Sequence, residues 1–135
     1  MIFVDTSAWV AISDARDGNH VRALGLQREL LSGKSGRLIT TDFVLDETLT
    51  LIRKRSGADP VRRFLDGLEA SASVQQIWIT PEHYRAARGL FLDQGQRFWS
   101  FTDCTSFVVM REFGISQAFS FDKDFREAGF DTRPG

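Results

Sequence analysis

Short apolar runs alternate along this chain with longer stretches of helical periodicity, and no tight turn joins one strand-like run directly to the next. Strands separated in this way cannot pair as hairpins. They pair in parallel, with the intervening helices crossing back over the sheet. Four runs qualify as strands: Ile2 to Asp5, Arg37 to Thr40, Gln76 to Ile79 and Ser116 to Phe121. Between them, Ala8 to Ser13 and Val21 to Leu31 have helical spacing, the second through Val21, Leu24, Arg28 and Leu31. The expected fold is α/β: one domain over residues 1–135, with a mostly parallel central sheet of four or five strands and helices on both faces.

The helices carry their own punctuation. Asp42 is placed to cap a helix through Val44, Leu45, Leu49 and Ile52 that closes on Arg53, Lys54 and Arg55, where cations suit the negative end of the helix dipole. Asp59-Pro60 reads as cap and first-turn proline of a helix whose Val61, Phe64, Leu65 and Leu68 form a stripe for one buried face. Thr80-Pro81-Glu82 opens another helix, with Tyr84, Ala87 and Phe91 on one side. Ser100 to Asp103 opens a last one, apolar on most sides from Cys104 to Met110, as a central helix is. Twelve Phe and three Trp against one Tyr imply a Phe-rich core.

Composition excludes several classes. A hydrophobic fraction of 42% supports a packed core, and a net charge of −1 gives no global field for a polyanion, so any nucleic-acid site must be local. A single cysteine allows neither an internal disulfide nor a thiolate metal cluster. With no basic leader and no run of apolar residues long enough to cross a bilayer, the expected setting is cytoplasmic and away from the membrane.

In a right-handed parallel sheet the carboxyl ends of the strands share one edge, and ligands bind there. Asp5 closes the first strand, Glu47 lies in the helix after the second, Asp103 in the first turn of the apolar helix, and Asp122 closes the fourth. Like charges crowded in a partly dehydrated pocket raise one another's pKa and cost stability unless cations compensate them. The available ligands are all hard oxygens, which favours Mg²⁺, with Mn²⁺ as substitute, over Zn²⁺. A carboxylate-held divalent ion suits phosphodiester hydrolysis. Each acid alone has a plainer role: Asp5 as helix cap, Glu47 on a solvated face, Asp103 in a capping box with Ser100, Asp122 in a turn.

Val4-Asp5-Thr6-Ser7, Glu47 after the second strand, Phe101-Thr102-Asp103-Cys104 and Ser120-Phe121-Asp122-Lys123-Asp124-Phe125 together resemble the PIN-domain ribonucleases, and the likeness runs through almost the whole chain. The small size and the Asp5-Thr6-Ser7 opening are most similar to VapC-type toxins of toxin–antitoxin pairs. The resemblance implies a PIN-like (Rossmann-like) domain and a metal-dependent endoribonuclease whose catalytic and metal-binding acids are Asp5, Glu47, Asp103 and Asp122, supported by Thr6 or Ser7 and by Thr102. Asp122 and Asp124 both stand where the last acid belongs; Asp122 directly follows the strand, which leaves Asp124 a supporting place. The resemblance further implies an RNA substrate, a cognate antitoxin and a homodimer.

With phosphate contacts dominating RNA affinity, Arg53, Lys54 and Arg55 are the leading basic cluster, followed by Arg85, Arg88 and Arg97. Trp9, Trp99 and the neighbourhood of Phe101 are candidates for base stacking or partner contact, and His20 and His83 lack metal-ligand spacing. Three other readings stand beside the toxin: an RNA-processing nuclease outside a toxin–antitoxin system, a phospho-receiver module, and a non-catalytic interaction domain. A receiver wants paired acids after the first strand, and an inactive domain is expected to lose an acid; here Asp5 is followed by Thr6 and Ser7, and all four acids are present.

Overall fold

The computed structural model describes residues 1–32 and 36–135, and its five strands form one sheet in which every pairing is parallel. The chain runs β1 (Ile2–Val4), α1 (Thr6–Ser13), α2 (His20–Ser32), β2 (Leu38–Thr41), α3 (Asp42–Ser56), α4 (Ala58–Ala70) and β3 (Val74–Ile77). It continues through α5 (Pro81–Leu92), α6 (Phe101–Glu112), β4 (Gln117–Phe119), α7 (Asp124–Glu127) and β5 (Asp131–Arg133). Strand order is β3-β2-β1-β4-β5, with Phe3 opposite Ile39 on one side and Ala118 on the other. Successive strands step outward from β1 in one direction up to β3 and then in the opposite direction through β4 and β5. The reversal at β1 and β4 opens a crevice beyond their carboxyl ends.

All three residues of β1 and all four of β2 are buried. Since successive side chains point to opposite faces, both faces of the central strands are covered. Phenylalanine fills the middle: Phe3, Phe107, Phe119 and Phe125 are fully buried, and Phe107 stands edge-on to Phe125 at 5.0 Å and to Trp99 at 5.1 Å. Cys104 is buried among them, its thiol pushed up to about 11 by burial and by the neighbouring Asp103 charge, so it packs as a small apolar group.

Several boundaries depart from the sequence expectation. Thr41, not Asp42, caps α3, its hydroxyl accepting from the Val44 N–H at 3.1 Å. Asp42 Oδ1 instead accepts from the Ile79 N–H at 2.7 Å, which takes that amide out of the sheet; β3 therefore ends at Ile77 and begins at Val74, and Trp78 is 70% exposed. Gly57, at φ +92°, ends α3 and starts α4 at Ala58, so Asp59 is not the cap but a first-turn residue paired with Arg62 at 2.7 Å. The expected buried face of α4 is only half-buried: Phe64 meets Trp9 edge-on at 5.6 Å, no residue of α4 is fully buried, and an apolar cavity of about 330 Å³ remains between α4, α1 and α2. His83 acts in structure: its N–H donates to Thr80 Oγ1, its Nδ1 accepts from the Thr80 N–H, and its Nε2 meets Glu112.

Candidate active site

At the crevice where β1 and β4 end, Asp5 is the N-cap of α1, accepting from the Ser7 N–H. The same oxygen, Oδ2, also accepts from Ser7 Oγ at 2.8 Å and from Ser120 Oγ at 3.0 Å. Among the described residues nothing donates to Oδ1. One oxygen anchors the carboxylate and the other is left for a ligand. Ser120 in turn accepts from the Asp122 N–H at 3.0 Å, and Ser7 Oγ accepts from the Phe121 N–H at 2.9 Å, so two serines lock the end of β1 to the segment after β4.

Asp103 enters from α6. Ser100 caps that helix by accepting from the Asp103 N–H, and Asp103 Oδ2 accepts from the Ser100 N–H, the reciprocal capping box expected from the sequence. Asp122 Oδ1 accepts from the Asp124 N–H at 3.0 Å, which ties the two acids of this segment together. One oxygen from each of Asp103, Asp122 and Asp124 lies within 4.8 Å of the other two. Asp124 is therefore as much a member of the cluster as Asp122, although the sequence ranks it second.

The acids line a cavity of about 410 Å³ that also receives Thr6, Ser7, Asp17, Asn19, Glu47, Arg55, Phe98 and Ser100. Glu47 thus faces the same space from α3 without belonging to the tight group. Thr102 does not reach the cavity; its carbonyl accepts from Thr105 and Ser106 inside α6. Of the basic triplet only Arg55 lines it, donating to Asp17 Oδ2 at 3.2 Å, while Arg53 and Lys54 are exposed on the last turn of α3. Trp9 and Trp99 are buried core residues and not free faces.

Six carboxylates and one guanidinium share this cavity. Burial is the largest cause that holds Asp5 up at about 6, against the opposing hydrogen bonds of Ser7 and Ser120. Asp103 is raised to about 8, first by burial and then by the charges of Asp5, Asp122 and Asp124. Burial and the Asp122 charge raise Asp124 as well. Such a cluster must take up protons or a cation. A cation fits the donors: all are hard oxygens, and Thr6 Oγ1 is buried at the cavity with no hydrogen-bond partner among the described residues.

The sequence reading did not select Ser120, Asp17, Asn19, Phe98 or Ser100 as site residues. Ser120 had one signal, its place directly ahead of Asp122 at a strand end. Phe98, in the loop between α5 and α6, had none.

Comparison with known proteins gives a consistent result. The family model described as PIN domain matches residues 2–131. The chain is 37% identical to the 23S rRNA-specific endonuclease VapC20 of Mycobacterium tuberculosis, over 99% of both chains. It is 30% identical to a VapC ribonuclease of Archaeoglobus fulgidus, over 90% of this chain and 77% of the relative. The crystal structure of M. tuberculosis VapC20, titled a sarcin-ricin loop cleaving toxin, superposes with a TM-score of 0.85 at 35% identity, covering 96% of each chain.

Proposed function

Because the chain belongs to the PIN domain family, we propose that it is a Mg²⁺-dependent endoribonuclease of the VapC kind, a toxin whose substrate is an exposed loop of ribosomal RNA. The observation that carries this reading is the carboxylate cluster at the sheet crevice, in a chain alike over its whole length to an rRNA-specific endonuclease. Asp5, Asp103, Asp122 and Asp124 would hold the ion, with Glu47 facing it from α3. When bound, Mg²⁺ or Mn²⁺ lowers the pKa of an attacking water and neutralises charge on the phosphate.

The chain's own part is orientation and charge. Ser7 and Ser120 fix Asp5, a residue of the cavity lining, through Oδ2. Burial and the charges of Asp5, Asp122 and Asp124 raise Asp103, so the cluster favours holding a proton or, in its place, the positive charge that a bound cation would supply. Thr6 Oγ1 supplies a further uncommitted oxygen. Arg55 is the cation placed to meet an RNA phosphate at this acidic site.

A toxin of this kind must be held inactive while its host grows, which supports a cognate antitoxin. A homodimer is supported by the aromatic cluster of Phe43, Tyr84, Phe91 and Phe101, where Tyr84 is 46% and Phe91 40% exposed and a second copy would cover both; light scattering of the purified protein tests it. No helix among the described residues is long and apolar enough to cross a membrane, in keeping with action on ribosomes in the cytoplasm.

The test is cleavage of ribosomes and of isolated rRNA by purified protein with Mg²⁺, Mn²⁺ or EDTA, comparing wild type with Asp5→Asn and Asp103→Asn. The expected result is a discrete, EDTA-sensitive cut absent from both variants. Metal-independent cutting, or cutting that survives both substitutions, would refute it.

A further inference from the structure

Phe98 is 96% exposed, the most exposed of the large apolar side chains, and it lines the cavity of the acids. That exposure is not the slack of a loose loop. On its carboxyl side Trp99 is buried, its N–H donating to Gln94 Oε1 at 2.7 Å and its carbonyl accepting from Gln94 Nε2 at 3.2 Å. Gln94 Nε2 also donates to the Phe91 carbonyl, tying the loop back to α5, and Ser100, two residues on, caps α6. On the amino side the Arg97 guanidinium lies over the Trp99 ring at 4.7 Å. The backbone is pinned beside a ring that nothing covers.

We propose that Phe98 is a stacking platform for a nucleobase next to the phosphate that is cut at the carboxylate cluster. This rests on the ribonuclease reading above and adds to it a binding site for an unpaired base. Beyond a bound ion and Arg55, a cavity with six carboxylates gives RNA phosphates little to hold, and the whole chain offers no net positive charge to add. A neutral grip is needed, and an aromatic face supplies one: every base has a π-face, and single-stranded RNA is held by stacking its splayed bases on such rings. The surroundings favour a nucleotide over a protein segment, because Asp17, Asn19, Ser100 and Asp122 share the cavity with Phe98 and offer polar partners for a base and its sugar, with Val10 and Leu51 as the other apolar side chains there. Arg55 lines the same cavity and can meet a phosphate beside the stacked base.

The experiment uses an oligoribonucleotide spanning a bond that wild type cuts, made intact and with single abasic positions around that bond. The proteins are wild type, Phe98→Ala, Phe98→Leu and Phe98→Trp, each checked for an unchanged melting temperature. Stacking on one base predicts a KM about tenfold higher for Phe98→Ala with kcat little changed, restored by Trp and not by Leu. Removing one base beside the cut should raise the wild-type KM by a similar factor and add nothing further in Phe98→Ala. Unchanged KM in Phe98→Ala, full activity with Leu, or penalties that multiply at every abasic position would overturn the proposal. So would Phe98→Ala cutting like wild type while losing a co-expressed inhibitor, which would give this ring to a protein partner. Wild type that cuts no RNA would instead sink the ribonuclease reading, and this proposal with it.

Discussion

Replacing Asp103 by asparagine is expected to stabilise the metal-free protein while abolishing its activity. The substitution keeps the shape of the side chain and an oxygen that can accept from the Ser100 N–H, so the cap of α6 survives. What disappears is a charge that folding penalises. Folding raises the Asp103 pKa from 3.8 to about 8, so the folded state binds the proton more tightly than the unfolded chain does. The sign follows: the penalty is absent below the unfolded value, grows as pH rises through the interval, and is full above the folded value. Each pH unit in that interval costs up to about 1.4 kcal/mol, a ceiling of roughly 4 kcal/mol near neutrality. Local relaxation and entering water reduce this to on the order of 2 kcal/mol, or roughly 5–10 °C of melting temperature in a chain of this size. Thermal unfolding in EDTA should show Asp103→Asn melting above wild type by about this margin near pH 8 and converging with it near pH 4. Added Mg²⁺ should raise wild type and leave the variant where it was. A variant that melts at or below wild type near pH 8, or a gap that does not change with pH, would refute the reasoning.

Other outcomes follow from the same geometry. Ser120→Ala removes a donor to Asp5 and the acceptor of the Asp122 N–H; activity should fall about 10- to 100-fold in RNA cleavage assays, as for groups that orient metal ligands. Arg55→Gln should raise the KM for RNA more than Lys54→Gln does, with chemical denaturation showing under about 1 kcal/mol lost, because the Asp17 pair is solvent-facing. Phe107→Ala, at the centre of the aromatic core, should cost about 3–5 kcal/mol by the same denaturation measurement. His83→Ala should lower stability by about 1–2 kcal/mol, since it removes the acceptor of the Thr80 N–H and the partner of Glu112, and should leave RNA cleavage unchanged.

What the sequence disclosed and what it hid divide along physical lines. Asp5 and Asp103 were legible because each sits at an element end with its own local signature, a strand stop and a capping box. The parallel sheet was legible because apolar runs separated by helices leave no other pairing. The fifth strand was not: Asp131–Arg133 is a three-residue edge strand without an apolar run, held on one side by β4. Ser120 was hidden because its importance lies in a bond to Asp5 across 115 residues, which only the adjacency of β1 and β4 creates. The start of α4 was misplaced because Asp-Pro is a strong local cap signal, and Gly57, free to take a positive φ, outcompeted it. Phe98 was hidden because an aromatic residue beside a tryptophan reads as core; only the fold shows that Trp99 goes in and Phe98 stays out.

The long reach from Asp5 to Ser120 also sets a timetable. A ribosome making this chain produces β1 and its aspartate first, and more than a hundred residues pass before the serine that orients that aspartate exists. Until β4 pairs with β1, Asp103 lacks its neighbours Asp122 and Asp124, and Asp5 lacks its Ser120 donor. Under the proposed activity on ribosomal RNA, the site stays incomplete for most of the time that chain and ribosome are joined. A chain cut short before Ser120 lacks the donor to Asp5 and both later acids, and is expected not to cleave RNA.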